Sequence, residues 1–272
     1  MNKMDPEFNY IDNNKNLWNK WTDYHLHSRF YNLEGFIKGE SSLNDIELTL
    51  LGDVTNKTIL HLQCHFGQDT LSLARLGAIP TGVDLSDNAI EKAKELTAQL
   101  NLHARFICCD LYDLPDYLDE KFDIVFTSYG TIGWLPDLNK WGQLISNFLK
   151  PNGMFVLVEF HPIVWIFNDD FNKVEYSYFN KQAIVVSEQG TYADSEAPIN
   201  MESVTWNHPI SEVFQGLVSN GLQIDDLKEY DYSPYNCFKH TEQVENKKFM
   251  IKHLINKIPM VYSIIATIKA CN

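Results

Sequence analysis

The chain has 272 residues, 44% hydrophobic and 13% aromatic, enough to bury a full core and inconsistent with an intrinsically disordered chain. Thirty-six acidic against twenty-two basic residues give a net charge of -14, which opposes binding to nucleic-acid phosphates or anionic lipid. No stretch approaches the ~18 consecutive apolar residues of a membrane span, and the opening MNKMDPEFNY lacks the apolar core of a signal peptide. The cysteines Cys64, Cys108, Cys109, Cys237 and Cys271 are odd in number and unpatterned, so reduced thiols in a cytoplasm are expected.

Residues 1–57 open with a polar start and then NKNLWNKWTDYHLHSRFYNLEGF, where Leu17, Trp21, Tyr24 and Ser28 recur at helical spacing. Trp18 and Trp21 are expected to pack this helix onto the core. Phe30 and Tyr31, near its end, are expected to form a lid over a ligand. Ser41 and Ser42 ahead of Leu43–Leu51 predict a second, capped helix ending near Gly52.

From Thr58 the pattern becomes strand, helix, strand repeatedly. TILHL, a helix over Thr70–Leu76 and TGVDL come first; Ser86 then caps the helix Asn88–Asn101. HARFICCD, the short element LYDLPDYLDE, FDIVFTSYG, the helix Leu138–Leu149 and NGMFVLVEFHP follow. The strands are short and apolar throughout, as strands covered by helices on both faces are, so the fold class is α/β. The rhythm stops after Pro162. Residues 163–207 hold the extended pieces VEYSYF, QAIVVSEQ and SVTWN, a β-rich insertion after strand 5, where loops at the carboxyl ends of parallel strands line a ligand crevice. The insertion is expected to cover a substrate, with an oligomer contact, such as a homodimer, as the other reading. A helix in HPISEVFQGLVSNG, the strand LQIDDLKEYD, a polar stretch with KKFMIKHLINKIP and the strand VYSIIATIKA complete the chain.

The stretch Thr58–Asp84 carries the main signal. Asp84 stands seventeen residues after the loop glycine Gly67, at the tip of the next strand, which is the spacing by which βαβ folds hold a ribose. An adenosine-containing ligand follows. Of the three glycines of a G-x-G-x-x-G fingerprint only Gly67 is present. On the pattern hydrophobic-hydrophobic-acidic-hydrophobic-Gly-x-Gly-x-Gly, His61 takes the acidic place, Gln63 and His65 the first two glycine places, and Gly67 the third.

With ILHLQCHFGQDTLSLA, GVDLS, ICCDLYDLP, FDIVFTSYG and FLKPNGMFVLVEFHP in place, Thr58 to about Val158 resembles a class I S-adenosylmethionine-dependent methyltransferase. The run HLQCHFGQDT resembles a subgroup of bacterial proteins known only generally as methyltransferases. The resemblance implies a Rossmann-like seven-stranded sheet, mostly parallel, with the last strand antiparallel. The chain then divides into an N-terminal helical lid (1–57), a cofactor-binding core (58–162), the insertion over the substrate site (163–207) and the end of the core sheet (208–272).

The implied cofactor is S-adenosylmethionine, with S-adenosylhomocysteine as product. A carboxylate at a strand tip accepts from both ribose hydroxyls, so Asp84 is assigned the ribose; a helix-capping role is the bland alternative, for which Ser86 competes. By resemblance the Asp110 carboxylate meets the adenine amino group, the Leu111 backbone meets the ring, and Leu85 offers it an apolar face. Asp110 as a mere turn former is the alternative. Gly67 permits close backbone approach. Gln68, Asp69 and Thr70 lie at a helix start whose free N–H groups suit the methionine carboxylate, with Asp69 a fair plain cap. Gln63 and His65 contact the cofactor if the loop takes a different path, Phe30 and Tyr31 cover it, and Ser128 stands near the methionyl part. Tyr129 and Trp134 form an acceptor wall or belong to the core. Glu159 and His161 at the fifth strand tip are the acid–base candidates, against a structural role for a histidine before proline. His61-x-x-Cys64-His65, with Cys108 and Cys109, raises a metal question; alternating strand side chains diverge, and no metal is expected.

Methyl transfer from a sulfonium is an in-line displacement helped mainly by placement and exclusion of water, so a general base is optional. The expected function is a cytoplasmic methyltransferase acting on a small-molecule acceptor, with no nucleic-acid or membrane partner; TSYG stands where an Asn-Pro-Pro-Tyr-type motif would mark nucleic-acid methylation. The alternatives are a catalytically silent protein that binds S-adenosylmethionine or S-adenosylhomocysteine, and an NAD-dependent oxidoreductase.

Overall fold

A computed structural model describes residues 9–268; residues 1–8, with the polar start, and Cys271 lie outside the described residues. Three helices come first: α1 (Tyr10–His25), α2 (Leu33–Ile37) and α3 (Asp45–Leu51). The Asn9 side chain caps α1 by accepting from the Ile11 and Asp12 N–H groups. The cap of α3 is Asn44, not Ser41 or Ser42: Glu47 Oε1 accepts from the Asn44 backbone and side-chain amides, and Ser42 instead bonds the Ser72 hydroxyl.

The α/β run then unfolds as β1 (Thr58–Leu62), α4 (Gln68–Arg75), β2 (Ile79–Asp84), α5 (Asp87–Gln99), β3 (Arg105–Cys108), β4 (Phe122–Ser128), α6 (Leu138–Phe148) and β5 (Leu149–Phe160). After it come β6 (Ile184–Gln189), β7 (Asn200–Thr205), α7 (Ile210–Val218), β8 (Leu222–Tyr230), β9 (Thr241–Glu245), β10 (Lys248–Ile251) and β11 (Val261–Ile268). Seven strands form one sheet in the order β3-β2-β1-β4-β5-β11-β8. The first five are parallel, and β11 lies antiparallel between β5 and β8. β6 pairs with β7, and β9 with β10, as separate antiparallel ribbons.

Alternate strand residues face opposite helical layers, as a pleated strand requires. Ile59, Ile124, Phe126, Val156 and Val158 pack toward α3 and α4, whereas Leu60, Val125, Phe155, Leu157 and Tyr262 pack toward α6 and α7. The buried stripe of α6 is Leu138, Trp141, Leu144, Ile145 and Phe148, and Asp137 caps it by accepting from the Asn139 and Lys140 N–H groups. α6 crosses α7 where two glycines meet: a Cβ on Gly142 would stand 2.0 Å from the Gly216 carbonyl oxygen.

Two elements differ from expectation. VEYSYF forms no strand beyond a single bridge from Val174 to Phe167. The polar stretch before β11 folds into the β9–β10 hairpin; β9 is largely exposed and lacks the apolar alternation that announces a half-buried strand, while β10 buries Met250 and Ile251. The N-terminal helix docks on the insertion and on the start of α5, where Asn19 bonds Ser86, Asp87 and Asn88, and not on the sheet. Leu17 and Trp21 cluster with Ala197 and Ile199, and the Asn14 side-chain amide donates to the Val204 carbonyl while its oxygen accepts from the Val204 N–H. Trp21 thus packs against the insertion, contrary to the expected contact with the core.

Candidate active site

A cavity of about 1200 Å³ opens at the carboxyl ends of β1, β2 and β4, beneath α1 and the insertion. Cofactor and drug-sized ligand pockets span roughly 300–1,000 Å³, so this one has room for a nucleoside and a second molecule.

The loop after β1 forms its floor. Gln63 and His65 adopt φ of 54° and 51°, and Gly67 80°, so all three glycine places of the motif follow a left-handed path although two carry side chains. That conformation costs a non-glycine residue ~1–2 kcal/mol, which side-chain bonds offset. Gln63 Nε2 donates to the Thr131 carbonyl at 2.9 Å, and His65 Nε2 lies 2.9 Å from Nδ1 of His25 in α1. The far atoms, Gln63 Oε1 and His65 Nδ1, are buried without a hydrogen-bond partner. A Cβ at Gly67 would fall 2.7 Å from the Phe106 ring and 3.0 Å from Ala93, so this glycine is needed to seat α4 against its neighbours.

Asp84 ends β2 inside the cavity. Its Oδ2 accepts from the His65 N–H at 2.7 Å and its Oδ1 from the Ser86 N–H at 2.9 Å, leaving lone pairs on both oxygens. Burial pushes its pKa up to about 6 against these bonds, so the carboxylate is largely ionised at pH 7. Asp110 accepts from the Tyr112 N–H at 2.7 Å, with burial pushing its pKa upward, and Leu85 and Leu111 lie beside it on the wall. Asp69 is also raised by burial; Ser128 donates to it at 3.4 Å, joining the start of α4 to the tip of β4. Gln68 Nε2 donates to the Tyr31 carbonyl at 3.0 Å, so the start of α4 holds the segment between α1 and α2. Phe30 and Tyr31 line the cavity, and Tyr31 bonds the Tyr192 hydroxyl from the insertion.

Other candidates have structural partners. Thr70 lies outside the cavity wall, its hydroxyl 2.8 Å from Nδ1 of His61. His61 is itself buried and stacked on Phe126, and burial lowers its pKa to about 3, so a neutral ring stands where the pattern has an acid. His61 and His65 thus turn to different partners, and among the described residues no three His, Cys, Asp or Glu side chains converge as metal ligands. His161 is also off the cavity wall: Nδ1 accepts from the Ile163 N–H at 3.1 Å and Nε2 lies 2.9 Å from Glu229. Glu159 borders the cavity but is engaged, accepting from the N–H groups of Gly130, Thr131, Ile132 and Phe160 and from the Thr131 hydroxyl. Tyr129 donates to Glu47 at 2.9 Å, and Trp134 Nε1 donates to the Gly130 carbonyl at 2.8 Å. The structure adds His25, Tyr192 and Tyr235, and brings Trp18 and Trp21 into the wall. Of these only His25 had a local signal, extending the Trp18 and Trp21 face by one helical turn.

Residues 59–153 match a family model described as a methyltransferase domain. An uncharacterised methyltransferase of Synechocystis is 33% identical over 146 residues, 53% of this chain and 66% of that protein. The mitochondrial ubiquinone biosynthesis O-methyltransferase of Homo sapiens is 25% identical, over 79% of this chain and 58% of its own length. The chain therefore spans less than two thirds of either relative. The crystal structure of an S-adenosylmethionine-dependent methyltransferase from Clostridium acetobutylicum superposes with a TM-score of 0.56 at 17% identity, covering 97% of this chain and 94% of that one.

The chain has the class I S-adenosylmethionine-dependent methyltransferase fold. An antiparallel β11 between β5 and β8 is the sheet ending that the resemblance implied. The residues present fit the methyltransferase cofactor in chemistry, and the cavity has room for it. Asp84 keeps a lone pair on each oxygen, and the buried Gln63 Oε1 and His65 Nδ1 have no protein partner. Among the described residues no helix is long and apolar enough to cross a membrane.

Proposed function

We propose that the protein is a methyltransferase that binds S-adenosylmethionine across the tips of β1, β2 and β4 and methylates a small molecule held in the rest of the cavity. The observation that supports this most is the glycine-type loop path leading to a strand-tip carboxylate with two lone pairs free. Asp84 takes the ribose hydroxyls, Asp110, Leu85 and Leu111 the adenine, and Gln63 with Asp69 the ammonium end of the methionyl group. Gly67, Gln68 and Ser128 shape the floor there, and Phe30 and Tyr31 close over it. S-adenosylmethionine, when bound, supplies an electrophilic methyl group whose sulfur keeps the bonding pair. The chain's own work is then to align, desolvate and enclose, which suits a site where Glu159, His161 and Tyr129 already have partners. The helical lid (1–57) and the insertion (163–207) act together as the cover, and HLQCHFGQDT marks the bacterial subgroup.

A small acceptor agrees with a covered cavity and with the net charge of -14, and the human relative is by name an O-methyltransferase of ubiquinone biosynthesis. S-adenosylhomocysteine at 100 times its Kd should stabilise the protein by about 2.7 kcal/mol, read as a rise in thermal midpoint. Asp84→Ala should abolish the rise; an unchanged rise in that variant would remove the ribose assignment.

A further inference from the structure

Six aromatic side chains from five separate segments meet ring to ring along one side of the cavity. Phe30 comes from the segment between α1 and α2, Tyr129 follows β4, Phe160 ends β5, Trp165 opens the insertion, and Tyr235 and Phe238 lie between β8 and β9. Ring centroids stand 5.4 Å apart from Phe30 to Tyr235, 5.0 Å from Tyr235 to Tyr129, 5.6 Å from Tyr129 to Phe160 and 6.0 Å from Phe160 to Trp165. Phe238 joins the outer end, 5.2 Å from Phe160 and 5.6 Å from Trp165. The row runs from the segment expected over the cofactor to Trp165, which is 45% exposed and marks the cavity mouth. None of the six is buried, unlike the core rings of Trp141 and Phe155, so each keeps open surface on a concave wall that a ligand can cover.

What the row offers is ring surface. The Tyr129 hydroxyl is spent on Glu47, which lies off the cavity wall. Successive rings from Trp165 to Tyr235 meet at 88°, 52° and 83°, so they line up as a wall and do not close into the box of faces that holds an ammonium cation. An anion is opposed by charge. Among the described residues Lys247 is the one Lys or Arg on the cavity wall, against Glu40, Asp169 and Glu188 besides the carboxylates assigned to the cofactor and the engaged Glu159. Nor is there a ready counter-ion for a cation at the mouth: Lys239 already answers Asp169 at 3.0 Å, and burial with the Asp169 charge pushes the Glu188 pKa upward. A flat conjugated body gains most here, because each ring can meet it edge to face or offset-stacked.

We propose that this row is the wall against which the methyl acceptor lies, and that the acceptor is an uncharged molecule with a flat apolar body, aromatic or conjugated, its reacting end toward Tyr129 and its far end at Trp165. The inference rests on the methyltransferase reading for which end reacts, since Tyr129 follows Ser128 at the tip of β4, beside the expected methionyl part. Tyr235 and Trp165 thus set which acceptors fit.

The test is calorimetric titration with 4-phenylphenol at pH 7.5, in the presence of S-adenosylhomocysteine, of wild type, Trp165→Ala, Tyr235→Leu and, as a surface control, Phe179→Ala. Phe179 is 71% exposed and off the cavity wall. In the wild type, 4-phenylphenol should bind about 10-fold tighter than phenol, biphenyl-4-carboxylate or 4-phenylbenzylammonium. Trp165→Ala and Tyr235→Leu should each weaken 4-phenylphenol by about 10-fold, the scale of one lost aromatic contact with its buried area, and Phe179→Ala should leave it unchanged. Weakening in one wall variant alone supports the wall, with the probe at that end. Equal or tighter binding of either charged analogue overturns the proposal, as does weakening in neither wall variant or an equal weakening in Phe179→Ala. Trp165 is exposed enough that its loss leaves the core intact, so if Tyr235→Leu does not fold, Trp165→Ala decides. S-adenosylhomocysteine should raise the thermal midpoint of wild type and Trp165→Ala alike. No rise in either would count against the cofactor reading and leave the wall standing; a rise without binding of 4-phenylphenol would overturn the wall alone.

Discussion

Glu47 and Glu159 are buried carboxylates with opposite duties. Burial pushes Glu47 up to about 7 from 4.5, so its contribution to stability is full below pH 4.5 and is lost as pH rises through 7. That loss is on the order of 3 kcal/mol. Denaturant titrations should therefore show Glu47→Gln gaining on the wild type by about that much between pH 4.5 and 8; a constant difference would refute it. Glu159 gathers four backbone N–H groups of the β4 and β5 tips, and Glu159→Ala would strand them at a cost of about 3 kcal/mol or more, visible in the denaturation midpoint. At this scale the sequence was legible where a residue's position follows from spacing along the chain. Asp84 and Asp110 stand in the cavity because strand tips put them there. His161 and Thr70 were misleading, because their partners Glu229 and His61 come from other strands and no local pattern announces them. His65 was legible as a departure from glycine, but its link to His25, forty residues earlier in the chain, was not.

Among elements, the α6–α7 crossing is the tightest contact. A methyl group on Gly142 would have to displace the α7 backbone, so Gly142→Ala should lose about 3 kcal/mol of unfolding free energy while leaving helix content near native. A loss under 0.5 kcal/mol would mean that the helices slide apart freely. The alternating strands and helices from Thr58 to Phe160 could be read element by element, with ends displaced by at most a few residues, since the strands are apolar and the helices are bounded by caps or glycine. α2 and the β9–β10 hairpin could not. The first is barely over one turn, and in the second β9 is polar and exposed, so only the short KFMI segment of β10, with Met250 and Ile251 buried, carries an apolar face. The N-terminal helix was legible as a helix but not in its docking, because Leu17 and Trp21 look the same whether they meet the sheet or Ala197 and Ile199.

For the whole molecule, the cavity is closed by segments far apart in sequence. Tyr31 and Tyr192 meet over it, and α1 is tied to β7 through Asn14. Asn14→Ala should weaken that tie, and faster release of S-adenosylhomocysteine in stopped flow, by about 10-fold for ~1.4 kcal/mol, is the expected outcome. An unchanged release rate would show that the cover opens without parting α1 from β7. The proposed binding mode lays an adenosyl group across the tips of the parallel strands with its ribose on Asp84. A crystal structure with S-adenosylhomocysteine tests it most directly. Both ribose hydroxyls are expected within hydrogen-bond distance of the Asp84 carboxylate, with the homocysteine amino group beside Gln63 Oε1. A nucleoside bound elsewhere, or lying with its ribose away from Asp84, would contradict it.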